Sequence, residues 1–175
     1  IPQKKPRTYK VVDTVKKSKF LNQKDFERAK LVLTNINSKK WNTALKQSQK
    51  IKDKEFKKLI NWMYLKQRGN QATFTDYKKF IINNEQYPRI GRLRYLAETK
   101  ISVKNLSPKV VVEWFKKYPP VSGIGKLKLA EALLRSNDKT GVVNLVKEGW
   151  VEADINKSEL RYFRNKFKNI LNSED

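Results

Sequence analysis

An internal repeat constrains this chain more than any other feature. Laid on itself with an offset of 34, the stretch 73 to 136 sets Thr73 on Ser107, Phe80 on Trp114 and Ile90-Gly91-Arg92-Leu93-Arg94 on Ile124-Gly125-Lys126-Leu127-Lys128. Each copy reads as two helices. A hydroxyl residue opens the first, an aromatic sits in its middle, a Tyr-Pro break follows, and Ile-Gly-basic-Leu-basic starts the second. Paired helices at this period belong to solenoids, in which one hairpin cannot bury its own apolar face and stacks on the next. The expected fold is therefore all-α: a right-handed superhelical stack of antiparallel helix hairpins resembling tetratricopeptide arrays.

The rest of the chain agrees with helices, because no segment of useful length alternates at period two. Pro2, Pro6 and the lysines around them predict a basic extended arm over 1–19, with the helical domain over 20–175. A first helix is expected from Lys24, carrying Phe26, Ala29, Leu31, Leu33 and Ile36 and ending near Asn37. Ser38 is expected to cap a second, with Trp41, Leu45 and Ser48 on one face, and Asp53 a third that runs until Gly69 stops it. Thr73 with Asp76 predicts a capping box, and Pro88 a first-turn proline. Ser107-Pro108, Ser122 and either Asn156 or Ser158 mark three further helix starts. Glu152 and Asp154 fall in an expected loop.

Charge bears on partners. The chain carries 40 Lys and Arg against 17 Asp and Glu, a formal net charge of +23, which suits nucleic acid, acidic lipid or another acidic polymer. An equally simple reading is compositional, since most of the excess is lysine scattered through every segment. Arg89, Arg92 and Arg94, with Lys126 and Lys128 at the places equivalent to Arg92 and Arg94, are the candidate contacts for an anionic polymer. Against a single strip, residues 92 and 94 point about 200° apart on a helix of about 3.6 residues per turn.

No metal, cofactor or catalytic residue is expected. The absence of Cys and His removes thiol nucleophiles, His-ligated haem and serine-histidine triads. Gly123-Ile124-Gly125-Lys126 fails as a phosphate loop, since Pro120 occupies the first glycine position and Leu127 replaces the magnesium-binding hydroxyl. It is closer to a helix-hairpin-helix turn, whose helix N-terminus meets a DNA phosphate. Packing of small residues at a close helix approach is the alternative, and would apply to Gly91 as well. Carboxylates Asp53, Asp76 and Glu159 sit where capping explains them.

Several motifs in order resemble a known family. Trp41 to Ala44, Asp53 to Gly69 with Leu59, Trp62 and Leu65, Phe74-x-x-Tyr77-x-x-Phe80-Ile81-x-x-Asn84-x-x-Tyr87-Pro88, Leu93-Arg94-x-x-Ala97-Glu98, Trp114-Phe115-x-x-Tyr118-Pro119-Pro120 and Gly125-x-Leu127-x-Leu129-Ala130-x-Ala132-Leu133 resemble the N-terminal superhelical domain of soluble lytic murein transglycosylases. The likeness covers about residues 20–175; Glu85 and Tyr87 depart from it, standing where proline and tryptophan are expected. The resemblance implies a periplasmic parent enzyme that cleaves peptidoglycan glycan strands through one glutamate of a downstream lysozyme-like domain. No Glu-Ser stretch of that domain occurs here, so the chain reads as a non-catalytic segment of a longer protein. Peptidoglycan and other cell-wall proteins are the implied partners. A cytoplasmic nucleic-acid-binding protein and a tetratricopeptide-like adaptor are the alternatives.

Overall fold

A computed structural model describes residues 18–172. Nearly all of the expected 1–19 arm falls outside them. Among the described residues there are nine α-helices and no strand: α1 (Gln23–Asn37), α2 (Trp41–Ser48), α3 (Lys54–Leu65), α4 (Phe74–Asn83), α5 (Ile90–Lys100), α6 (Pro108–Lys117), α7 (Gly123–Arg135), α8 (Val142–Glu152) and α9 (Lys157–Lys166). The chain divides into two compact units, with the boundary after Asn61, inside α3.

In the first unit α1 packs on α2 and buries Ala29, Val32 and Ala44. Asp25, buried near the start of α1, accepts the Lys52 amide at 3.0 Å and so ties that helix to the segment after α2. Leu31 and Leu33, expected among the apolar positions of this helix, are 57% and 43% exposed: Leu31 lies about 200° around the helix from Ala29, and Leu33, four residues from Ala29, lies about 100° from Val32. Ser38 caps the C-terminus of α1 rather than opening α2. The turn is taken by Lys39, with φ of 58°, and α2 then starts at Trp41 with no side-chain cap.

The second unit holds two apolar clusters. One gathers Tyr77, Phe80, Ile81, Leu93, Leu96, Val111, Trp114 and Phe115 from α4, α5 and α6. The other gathers Ile124, Leu127, Leu133, Val142, Val146 and Phe163 from α7, α8 and α9, with Phe167 at the end of α9. Helix α7 packs on α5, α6 and α8, and nine of its 13 residues are buried, so any charged side chain on it must find an internal partner.

The local signals of the repeat hold where they concern the first helix of each copy. Thr73 and Asp76 form the capping box of α4, and Ser107 accepts the Val110 amide, with Pro108 in the first turn of α6. The second helices start differently. Ser122 caps α7 by accepting the Gly125 amide at 3.1 Å, whereas α5 follows Arg89 in the left-handed conformation, with φ of 57° and no side-chain cap. Pro88 therefore lies before the helix, not in its first turn.

Helix α3 ends at Leu65, four residues short of Gly69. The buried Asn70 explains this: its amide donates to the carbonyls of Leu65 at 3.1 Å and Gln67 at 2.8 Å, satisfying groups that the helix end leaves open. The Tyr77 hydroxyl donates to the same Leu65 carbonyl at 2.7 Å, which ties α4 to the end of α3.

Candidate functional site

The five basic residues singled out from the sequence do not form one strip. Arg89 and Arg92 are exposed, with the Arg92 guanidinium 4.9 Å from the centre of the Tyr95 ring. Arg94 turns inward: its Nη2 donates to the Pro119 carbonyl at 2.6 Å, its guanidinium lies over Tyr118, and its buried Nε has no partner. Lys126 is bound by two carboxylates, Glu148 at 2.8 Å and Glu152 at 2.7 Å. Glu152 is thus the last residue of α8 and an ion-pair partner, not a loop residue. Lys128 is 8% exposed, and its ammonium donates to the carbonyls of Glu98 at 3.1 Å and Thr99 at 2.9 Å, at the C-terminus of α5. These carbonyls lie in the last turn of α5, where a helix end leaves acceptors short of amide donors, and a cation there complements the helix dipole; the Glu98 carbonyl also accepts the Ile101 amide at 3.3 Å.

The Gly123-Ile-Gly-Lys turn is closed to an outside phosphate. Its N-terminal end already holds an anion: the Glu98 carboxylate accepts the Val121 amide at 2.7 Å and the Ser122 hydroxyl. Glu98 is 1% exposed, and burial pushes its carboxyl above the usual range, while the bonds from Ser122 and Val121 oppose this. Both glycines serve close packing. A methyl group on Gly123 would come within 2.6 Å of the Gly149 carbonyl oxygen, and one on Gly125 within 2.6 Å of the Glu98 carboxyl carbon. Gly91, their counterpart in α5, has nothing within 4 Å of such a methyl. The small-residue reading thus holds for the second repeat and fails for the first, because α7 has neighbours on faces that α5 leaves open.

Lys128 belongs instead to a cleft of about 620 Å³, whose lining includes Ile101, Ser102, Val103 and Lys104 from the segment after α5, Lys128 and Glu131 from α7, and Ser158, Glu159 and Tyr162 from α9. Buried Ile101 and Val103 anchor the first wall, and the Leu106 amide closes its turn on the Ser102 carbonyl at 2.9 Å. The third wall is set by a capping box, in which Asn156 accepts the amides of Ser158 and Glu159 while Glu159 accepts back at the start of α9.

Two groups in the cleft are far from their ordinary ionisation. Burial pushes the Lys128 ammonium down to about 8, against the opposing pull of Glu159, Glu131 and Glu98. Burial pushes the Tyr162 phenol up to about 12, and its 2.5 Å bond to the buried Glu131 carboxylate adds to this. The cleft thus combines a poised amine, a satisfied carboxylate and a fixed phenol, which suits ligand binding through charge and hydrogen bonds.

Sequence reasoning placed Lys128 on the surface and passed over Glu131, Lys104 and Tyr162. One signal was present: Lys128 and Glu131, three residues apart, interrupt the apolar run Leu127 to Leu134 on a helix that must be covered. Their partners, Tyr162 for Glu131 and the Glu98 and Thr99 carbonyls for Lys128, lie about 30 residues away, beyond the reach of any local pattern. No cluster of potential metal ligands occurs among the described residues, and no described helix is long and apolar enough to cross a membrane. No family model, curated protein or solved structure matches the chain.

Proposed function

We propose that residues 20–175 form the right-handed superhelical, non-catalytic domain of a periplasmic soluble lytic murein transglycosylase, serving to bring the enzyme to peptidoglycan. The observation that supports the reading is what the residues of the resemblance do in the second unit: they join one helix to another. Tyr87 meets Phe80 edge-on at 5.5 Å and Trp62 at 5.7 Å, and the Trp62 indole donates to the Pro88 carbonyl at 2.8 Å. Phe74 of α4 meets Trp114 of α6 edge-on at 5.4 Å. Glu98 of the Ala97-Glu98 pair secures the start of α7. A motif set made of such joints is what a stack of helix pairs needs, and it carries no chemistry of its own.

The positive charge supplies the function in this reading, by drawing the domain to the carboxylates of murein. Co-sedimentation of the chain with purified sacculi at rising salt tests it. Binding at low ionic strength that fades as salt screens the charge is expected, and absent or salt-independent binding refutes it. The nucleic-acid alternative loses its best feature, since Glu98 occupies the helix start that a phosphate would need.

A further inference from the structure

We propose that the cleft over Lys128 is a binding site for a small carboxylate, held by the Lys128 and Lys104 ammonium groups between the 101–104 segment and α9. The acids that line the cleft are already engaged: Glu131 accepts from Tyr162 and lies 3.6 Å from Lys166, and Glu159 accepts from the Asn156 side-chain amide at 2.7 Å. The amines are not. None of the ion pairs among the described residues uses Lys104 or Lys128.

An ammonium has three protons, and Lys128 spends two on the Glu98 and Thr99 carbonyls, leaving one for a guest. Lys104, exposed on its turn, rests 5.5 Å over the Tyr162 ring and is free to swing toward an anion. Tyr162 itself is held by Glu131, so this wall is fixed in advance. A buried donor paired with a mobile one, in a cleft of about 620 Å³, fits a carboxylate carried on a group of sugar or dipeptide size.

The choice of ligand rests on the murein reading, which offers two sources: the lactyl carboxylate of muramic acid and the C-terminus of a stem peptide. Amide chemical shifts of the chain, titrated with N-acetylmuramic acid, with D-alanyl-D-alanine and with N-acetylglucosamine, separate them. The carboxylate source should shift residues 100–104 and 158–163, while N-acetylglucosamine, which lacks the carboxylate, should not. Lys104→Ala should weaken the binding about tenfold, the factor for one charged contact. That substitution removes an exposed side chain and leaves the two hydrogen bonds from Lys128 to the end of α5 in place.

No shift with either carboxylate, equal shifts with N-acetylglucosamine, or unchanged affinity in Lys104→Ala would each overturn the proposal. Sacculus binding without shifts in the cleft overturns the cleft alone and leaves the murein reading standing. Shifts with D-alanyl-D-alanine and no sacculus binding do the reverse.

Discussion

Lys128 makes the sharpest prediction about stability. Its ammonium is pushed from an ordinary 10.5 down to about 8 by burial, so the folded chain releases this proton about 2.5 pH units before the unfolded chain does. At about 1.4 kcal/mol per unit, the buried charge costs the fold about 3 kcal/mol. The cost is present in full below about pH 8, where both states are protonated. It is relieved as pH rises from about 8 to about 10.5, because there the unfolded state binds more protons than the folded one, and stability increases with pH. Lys128→Met removes the titrating group and keeps most of the volume.

Urea unfolding of both chains, followed by tryptophan fluorescence, reads the effect chiefly in the second unit, which holds Trp62, Trp114 and Trp150. The stability of the parent chain minus that of Lys128→Met should climb by about 3 kcal/mol between about pH 7 and about pH 10.5. The difference at one pH is less informative, since the substitution also strips two hydrogen bonds from the end of α5. Loss of net positive charge at high pH acts on both chains and cancels. Tyr162, pushed up to about 12, acts in the opposite direction above about pH 10 and is common to both. A flat difference across this range would show that Lys128 is solvated, and the reasoning about its burial would fail.

The glycines give a matched set. Gly123→Ala, which drives a methyl into the backbone of α8, and Gly125→Ala, which drives one into the pinned Glu98 carboxylate, should each cost about 1–3 kcal/mol in urea unfolding. Gly91→Ala meets nothing and should be neutral or stabilise α5 by up to about 1 kcal/mol; a loss comparable to the other two would refute the packing assignment. Tyr162→Phe should cost about 1 kcal/mol, by taking the hydroxyl from the buried Glu131, and should remove a tyrosine that ionises near 12 from the ultraviolet titration.

What the sequence determined by itself was every feature settled within one helical turn. Thr73 with Asp76, Ser107 with Pro108, Ser122, and Asn156 with Glu159 each announce a helix start, because a cap needs only an acceptor and a backbone amide two or three residues away. The all-helical class followed from the same local periodicity. Where the turn depended on other chemistry the reading slipped: Lys39 and Arg89 adopt left-handed conformations that no residue type demanded, which moved the start of α2 away from Ser38 and left Pro88 outside α5.

Only the tertiary structure decided what the repeated string Ile-Gly-basic-Leu-basic does. On α5 it presents Arg92 to solvent and leaves Gly91 in open space; on α7 it buries Lys128, pairs Lys126 with α8 and seats Gly125 against Glu98. The residues are nearly the same and the neighbours are not. Burial, and with it the ionisation of Lys128 and Tyr162, depends on which elements converge from 30 residues away. Desolvation is a property of that surrounding shell, which a local pattern does not encode.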